Sequence, residues 1–414
     1  MGSEEVSTAE AVSQRRSVLV LAPFLTRRHA GAAHATVSII NTLHRRGVVD
    51  VNVVGFEVEP GVLRADVPVR LVPPPPPRRL VWRVGRLFSV ADVQRSLADA
   101  SLPVADLVYT QSLEMGLAYR RLGGRAPIVA HLGHVLAGRE AREESDLGQP
   151  WRALDAVLAD RLERAAYSSP HWHHVVSTPL VARARTEHFG LPDDFFRVQP
   201  LCVDIARFSD RSARAETRRR LGIQDHDCVI VSVARMVGWK NLDWLVRAMS
   251  VLPQSARLLL VGDGAERSAL EHSVPSEVKD RVHFTGHCDP VPLLAAGDVF
   301  ALPSAIESFG VAYAEAMAMG LPCIGLRYDP PRHLSSAGDV IEPGSSGFVV
   351  SNEAELQGVL RTLCNDSSLR LRAGAAARAR AHRYFSEDAY ASFVEGLSAG
   401  QAGNASTHSQ LVPA

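Results

Sequence analysis

Short apolar runs, each followed by a helix-periodic stretch, recur along this chain, and the rhythm runs through twice. The first run is "SVLVLAP" (17–23), apolar on both faces and ended by proline, which reads as a buried parallel strand. The loop "FLTRRHAGAAHA" follows, then "TVSIINTLHRRG", where Val37, Ile40 and Leu43 are spaced by three and Gly47 supplies a stop. "VDVNVVGFE", "LVYTQS", "PIVAHLG" and "HHVVST" give further strands, with helix-like "LEMGLAYRRLGG" between two of them. After about residue 208 the rhythm restarts in "CVIVSVARM", "RLLLVGDG", "RVHFTG", "VFALPS" and "PCIGLR". This alternation predicts an α/β chain of two doubly wound, Rossmann-like halves, residues 17–205 and 206–385, joined near 205–212. A terminal amphipathic helix at about 386–398, in "YFSEDAYASFVEGL", is free to pack on either half. Residues 1–16 and 399–414 read as disordered tails.

Composition narrows the function classes. The chain has 414 residues, 46% hydrophobic and 22% charged, and 45 acidic residues balance 45 basic ones. No overall field favours nucleic acid or an anionic membrane. Five scattered cysteines without a C-x-x-C fit free thiols in a reducing compartment. No apolar run reaches the ~18–20 residues of a membrane span, and the polar start is unlike a signal peptide, so a cytoplasmic protein is expected. "VPPPPPRRLVWRVGRLF" (72–88) reads as an exposed polyproline spacer and a surface helix; peripheral membrane contact through its arginines is the less favoured reading. The charged stretch "REAREESDL" (139–147) reads as a solvated helix face.

The second half carries the chemistry. Of the 45 Lys and Arg residues only two are lysine, and one of them, Lys240, lies in "VARMVGWKNL". Arg235 precedes it in the same turn, Asn241 is a candidate N-cap, and Leu242, Leu245, Val246 and Met249 follow with helical spacing. Two cations then bracket the mouth between a strand end and a helix start, where open α/β sheets bind ligands, and they suit a diphosphate. Further on, "ALPSAIESFGVAYAEAMAMGLPCIG" (301–325) runs strand, loop, helix, stop, strand. Ser308 is a candidate cap, Gly320 and Pro322 end the helix, and the amides around Phe309, Gly310 and Val311 form an anion site. Glu307 in the loop and Glu315 in the helix stand eight residues apart, and acids beside an anion site suit ligand hydroxyls.

Together these residues resemble glycosyltransferase family 4, retaining enzymes of GT-B fold. The resemblance rests on "ARMVGWKN", "LLLVGDGAERSAL", "VHFTGHC", the Glu-x7-Glu pattern of "ESFGVAYAEAMAMGLPCIG" and "VIEPGSSGFVV", and spans nearly all of 205–385. It implies that Arg235 and Lys240 neutralise the diphosphate of a nucleotide-sugar donor. Glu307, beside the Ser308–Phe309–Gly310–Val311 amides, is implied to touch sugar hydroxyls, and Glu315 to hold the ribose. Gly262 belongs to the same donor-side motifs, and Phe284 and Thr285 lie at the strand end implied to receive the nucleobase. In the first half the match is looser. "HAGAAHA" takes the place of the family's glycine-rich loop with Gly31 and then Ala32, and His131 stands where the family has a histidine facing sugar and acceptor. "PLCVDIARF" keeps Asp204 and Phe208, but Leu201 and Cys202 replace an Asn-Gly, which points to a divergent acceptor pocket.

The resemblance further implies that no metal is needed. "HWHH" (171–174) puts His171 and His173 on one side of a strand without a third ligand, and "DHD" (225–227) reads as a turn. The expectation is therefore a retaining transferase with a nucleotide diphosphate donor, UDP ahead of GDP, no cofactor, and a hydroxyl acceptor of unknown identity, a small soluble one being favoured. A sugar-nucleotide epimerase of the same architecture, an envelope glycan or lipid glycosyltransferase and a non-catalytic nucleotide-binding partner stay as alternatives. A NAD-dependent dehydrogenase is disfavoured, because neither half has G-x-G-x-x-G after its first strand.

Overall fold

The computed structural model describes residues 15–26, 32–75, 90–133 and 149–399. The first sheet contains β1 (Arg16–Leu21), β2 (Val49–Gly55), β3 (Val69–Leu71), β4 (Leu107–Thr110), β5 (Ile128–Leu132), β6 (Trp172–Val176) and β7 (Arg197–Val198). Their order is β3-β2-β1-β4-β5-β6-β7. The second contains β8 (Cys228–Val233), β9 (Ala256–Val261), β10 (Val282–Gly286), β11 (Val299–Leu302), β12 (Cys323–Leu326) and β13 (Gly347–Val350), ordered β10-β9-β8-β11-β12-β13. Every pairing within both sheets is parallel. Each sheet reverses its winding beside its first strand, and that switch point opens a crevice at the strand ends. The central strands are buried on both faces because helices cover both, which is why their sequences read as unbroken apolar runs.

Three strands of the two large sheets escaped the sequence pattern. β3 and β7 have three and two residues, too few to carry a period. β13 begins at Gly347, where a Cβ would stand 2.0 Å from the Cys323 carbonyl oxygen, so the backbones approach too closely for any other residue.

The terminal helix (Glu387–Ser398) packs on the first half. Tyr390, Ala391, Val394 and Leu397 share a buried cluster with Val18, Val20, Ile39 and Val51. Arg46 pairs with Glu395 at 2.9 Å, and Arg16 donates to the Ser398 carbonyl. The chain crosses between halves twice, and the crossings run side by side: Val203 N–H donates to the Phe385 carbonyl at 2.9 Å. Leu201 and Cys202, which stand in place of an Asn-Gly, are 3% and 1% exposed, so this segment packs rather than presenting a polar turn. Asp204 caps the helix Ile205–Ser209, accepting from Arg207 N at 2.9 Å, and Phe208 is buried. Residues 1–14 and 400–414, Gly31, residues 76–88 of the proline-rich segment and residues 139–147 lie outside the described residues, whereas Arg16, expected in the first tail, opens β1. Among the described residues no helix is long and apolar enough to cross a membrane.

Tyr390→Ala deletes the largest ring that joins the terminal helix to the first half. It should cost ~3–5 kcal/mol, the usual range for truncating a buried aromatic, and calorimetry should show the loss as a lowered unfolding midpoint.

Candidate functional site: a cation-acid pair at two strand ends

After β8 the chain makes a single 3-10 turn (Gly238–Lys240) and enters the helix Leu242–Ala248. After β11 it passes through a two-residue strand, Ile306–Glu307, paired in parallel with Leu334–Ser335, so Glu307 sits on a strand rather than in a free loop. The two turns are tied by backbone and side chain. Ala305 N–H donates to the Trp239 carbonyl at 2.7 Å, and Asn241 Nδ2 donates to the Pro303 carbonyl at 2.9 Å. Asn241 does occupy the N-cap position, but its φ of +50° turns its amide to Pro303, and it makes no capping hydrogen bond. That left-handed conformation is one that Asn tolerates better than most residues.

Across this junction Lys240 Nζ lies 2.7 Å from Glu307 Oε2, with side chains 15% and 13% exposed. The pair is half-desolvated, so it is stronger than an exposed pair and still open to exchange with a ligand. Arg235 is exposed, and its guanidinium stands 5.4 Å from the Trp239 ring centroid, a cation–π contact that steadies a long side chain at the mouth.

The helix Val311–Ala318 starts next to Glu307. Its N-cap is Gly310 with φ +72°, and no side chain caps it. Ser308, the expected cap, is used elsewhere: its Oγ donates to the Gly133 carbonyl of the first half at 2.7 Å. The helix end therefore keeps its amides for another acceptor, which is what an anion site requires. A Cβ on Gly310 would meet the Tyr313 ring at 2.4 Å and Glu307 Cγ at 3.1 Å. Tyr313 is fully buried and donates to the Leu302 carbonyl, so it has little room to yield. Phe309 is buried and meets Phe385 edge-on at 5.3 Å, which fixes the turn to the chain crossing.

Glu315 is 8% exposed on the same helix. Burial pushes its carboxyl up to about 8, against the pull of nearby Arg207; Asp289, which binds Arg207 at 2.7 Å, adds to the rise. A carboxyl so displaced by burial is a candidate functional group. Gly262 closes the turn after β9: its φ is +131°, its N–H donates to the Gly286 carbonyl at 2.9 Å, and a Cβ would stand 2.0 Å from the Ala234 carbonyl oxygen. Phe284 and Thr285 are half-buried at the neighbouring end of β10, and Thr285 Oγ1 donates to the Leu260 carbonyl at 3.4 Å. Arg235, Lys240, Glu307, Gly310 and Gly262 thus follow strand ends of the second sheet, Thr285 lies at the end of β10, and Glu315 lies inside the helix that Gly310 opens.

The first half departs from expectation at His131. It is fully buried, hydrogen-bonded through Nδ1 to the Tyr390 hydroxyl and stacked on that ring at 5.6 Å. Burial holds the imidazole neutral, with its pKa down at about 3. Alternation along β5 turns the side chain onto the face covered by the terminal helix, where Tyr390 takes Nδ1 while Nε2 is buried without a hydrogen-bond partner. Tyr390 gave no functional signal in sequence, since its partner is 259 residues away. Ala32 opens the helix Ala32–Arg46. His171 has φ +60° and precedes β6, so it does not share a strand face with His173. Asp227 closes a turn by accepting from Gln224 N at 2.8 Å and pairs with Arg257 at 3.3 Å. Among the described residues no group of three His, Cys, Asp or Glu is placed to hold a metal.

Residues 227–366, which contain all four expected charged residues, match the family model described as Glycosyl transferases group 1. A D-inositol 3-phosphate glycosyltransferase of Corynebacterium kroppenstedtii is 32% identical over 304 residues, covering 67% of this chain and 62% of that protein. The family model and the curated relatives support a glycosyltransferase of family 4. A GDP-mannose-dependent monoacylated alpha-(1-6)-phosphatidylinositol monomannoside mannosyltransferase of Corynebacterium glutamicum is 33% identical over 200 residues, 44% of this chain and 51% of the relative. The match thus spans about half of one curated relative and under two thirds of the other. Among solved structures, Anabaena HepE in complex with UDP and glucose superposes with a TM-score of 0.70 at 20% identity, covering 92% of this chain and 99% of that one. The sucrose-phosphate synthase from Thermosynechococcus elongatus gives 0.72 at 17%, covering 94% and 99%. The two Rossmann-like halves are the GT-B fold.

Two outcomes test this geometry. Gly310→Ala should displace Tyr313 or Glu307 and strain a left-handed backbone, costing ~1–3 kcal/mol, read as a lowered thermal midpoint. For Glu315 the folded value, about 8, lies above the ordinary 4.5. The folded chain keeps a proton that the unfolded chain releases, so the stability tied to this group is fully present below pH 4.5 and is lost as pH rises through 8. Glu315→Gln should therefore raise the thermal midpoint at pH 8.5 by the equivalent of roughly 2 kcal/mol, with a much smaller effect at pH 5.

Proposed function

We propose that this chain transfers a sugar from a nucleotide diphosphate donor to a hydroxyl acceptor with retention of anomeric configuration, without a divalent metal. The observation that carries the reading is the Lys240–Glu307 pair at 2.7 Å, flanked by Arg235 and by a helix start that no side chain caps. Two cations and a helix N-terminus converge where a diphosphate leaving group gains charge, which is the arrangement that lowers the barrier to its departure. On binding, the diphosphate competes with Glu307 for Lys240, which frees the Glu307 carboxylate for donor-sugar hydroxyls. Glu315 takes the ribose hydroxyls. The acceptor attacks on the face from which the nucleotide departs, and the leaving phosphate oxygen takes the acceptor's proton, so no protein nucleophile is required.

UDP is the proposed carrier, with GDP the competing one. The HepE structure with UDP and the GDP-mannose-dependent relative support one each. A small soluble acceptor is proposed. The D-inositol 3-phosphate glycosyltransferases and the Bacillus anthracis N-acetyl-alpha-D-glucosaminyl L-malate synthase, 31% identical over 186 residues, support it by their acceptors' size.

Thermal shift with UDP and GDP should rank the carriers, and product analysis with the matching nucleotide sugars should follow. Arg235→Ala and Lys240→Ala should each lower transfer by ~10²–10³-fold, the usual loss for one preorganised charge contact, with unfolding midpoints near wild type. Wild-type rates in both variants would overturn the assignment. Release of an epimerised sugar from donor alone would replace transfer by epimerisation.

A further inference from the structure

On one side of the cleft the two halves meet through polar contacts that none of the roles above uses. The helix Pro179–Phe189 of the first half starts at the end of β6, with Thr178 as its N-cap accepting from Val181 N. Its next free amide, Leu180 N–H, donates to Oδ2 of Asp339 in the second half at 2.8 Å. A helix start offers unpaired N–H groups and the positive end of its dipole, so a carboxylate arriving from the opposite half supplies both a hydrogen bond and a charge.

Asp339 is held firmly enough to do this. Arg380 donates to its carbonyl at 2.9 Å and to that of Val340 at 2.7 Å, anchoring the short helix Ala337–Val340. Just before that helix, Ser335 pairs with Glu307, and Ser336 N–H donates to the Glu307 carbonyl at 2.9 Å. A short, hydrogen-bonded path therefore joins Asp339 to the acid at the donor-sugar end. The same face holds two more links between the halves. Thr178 Oγ1 donates to the Ser308 carbonyl at 3.1 Å, and Ser308 Oγ reaches Gly133, so the residue after Glu307 is gripped from both β5 and β6. Arg183 also lies over Tyr328, 5.3 Å from the ring centroid.

We propose that Asp339 is a positioning residue. By capping the helix Pro179–Phe189 across the cleft it holds the halves at the spacing where Ser308 bridges to Gly133, and so sets Glu307 against the strand ends of the first half. Its charge matters because the contact is half-solvated: a neutral acceptor leaves the dipole unanswered and lets the cleft open to water, which competes with the acceptor for the sugar.

The catalytic consequence rests on the transferase reading above, whereas the contact itself is readable without turnover. In the full chain, Asp339→Ala should speed hydrogen exchange of the 180–183 amides at least tenfold. It should also raise the donor KM about tenfold and increase several-fold the ratio of donor hydrolysis to transfer, with Asp339→Asn intermediate in each. Where the alanine variant does not fold, Asp339→Asn carries the comparison alone. Exchange at 180–183 that stays at the wild-type rate overturns the proposal, and so does lost activity with KM and the hydrolysis ratio unchanged, the signature of a merely structural residue. A wild type that turns over no nucleotide sugar defeats the transferase reading alone. Small-angle scattering of wild type and Asp339→Ala then decides the latch: a larger radius of gyration in the variant supports it, and equal radii overturn it.

Discussion

One ion pair organises the second half. Lys240 comes from the turn after β8 and Glu307 from the turn after β11, strands that lie side by side at the switch point of their sheet. The pair is too buried to be worth little and too open to be inert. Around it the backbone is over-determined: Trp239 is bonded to Ala305, Asn241 to Pro303, and Ser336 to Glu307. Such cross-bracing fixes the two turns that carry Lys240 and Glu307, so the pair is held in one geometry. Arg235, resting on Trp239, is steadied by the same turn.

The site also concentrates local costs that the surrounding fold carries. The first turn of the helix after Gly310 lacks a capping side chain, and Glu315 sits as a buried acid with its pKa pushed up to about 8. Each is unfavourable alone. Packing answers them: Phe309 on Phe385, Tyr313 on Phe300, and the buried central strands of the second sheet beneath.

The two halves are joined by more than their connecting chain. The crossings at Val203 and Phe385 pair with each other, the terminal helix returns to the first half, and Ser308 and Asp339 reach across the cleft. His131 belongs to this joinery. Its ring stacks on Tyr390 of the terminal helix and is bonded to that hydroxyl through Nδ1, which ties β5 to the returning chain.

The apolar runs and their spacing determined the two α/β halves, because a strand covered by helices on both faces must be apolar throughout, and that requirement is visible in any short window. The placement of Arg235, Lys240 and Glu307 just after strand ends, and of Glu315 in the following helix, was equally legible, since each lies near a run whose direction is known. Three strands were not, being too short or starting on a glycine chosen for close approach. Only the tertiary structure decided which partner each polar side chain takes. Ser308 caps nothing and bridges to Gly133, Asn241 turns to Pro303, and Asp339 closes a helix 159 residues away. Local sequence encodes a residue's own conformational preference, whereas a hydrogen bond across the cleft depends on how two separately folded sheets are docked, and no short stretch contains that geometry.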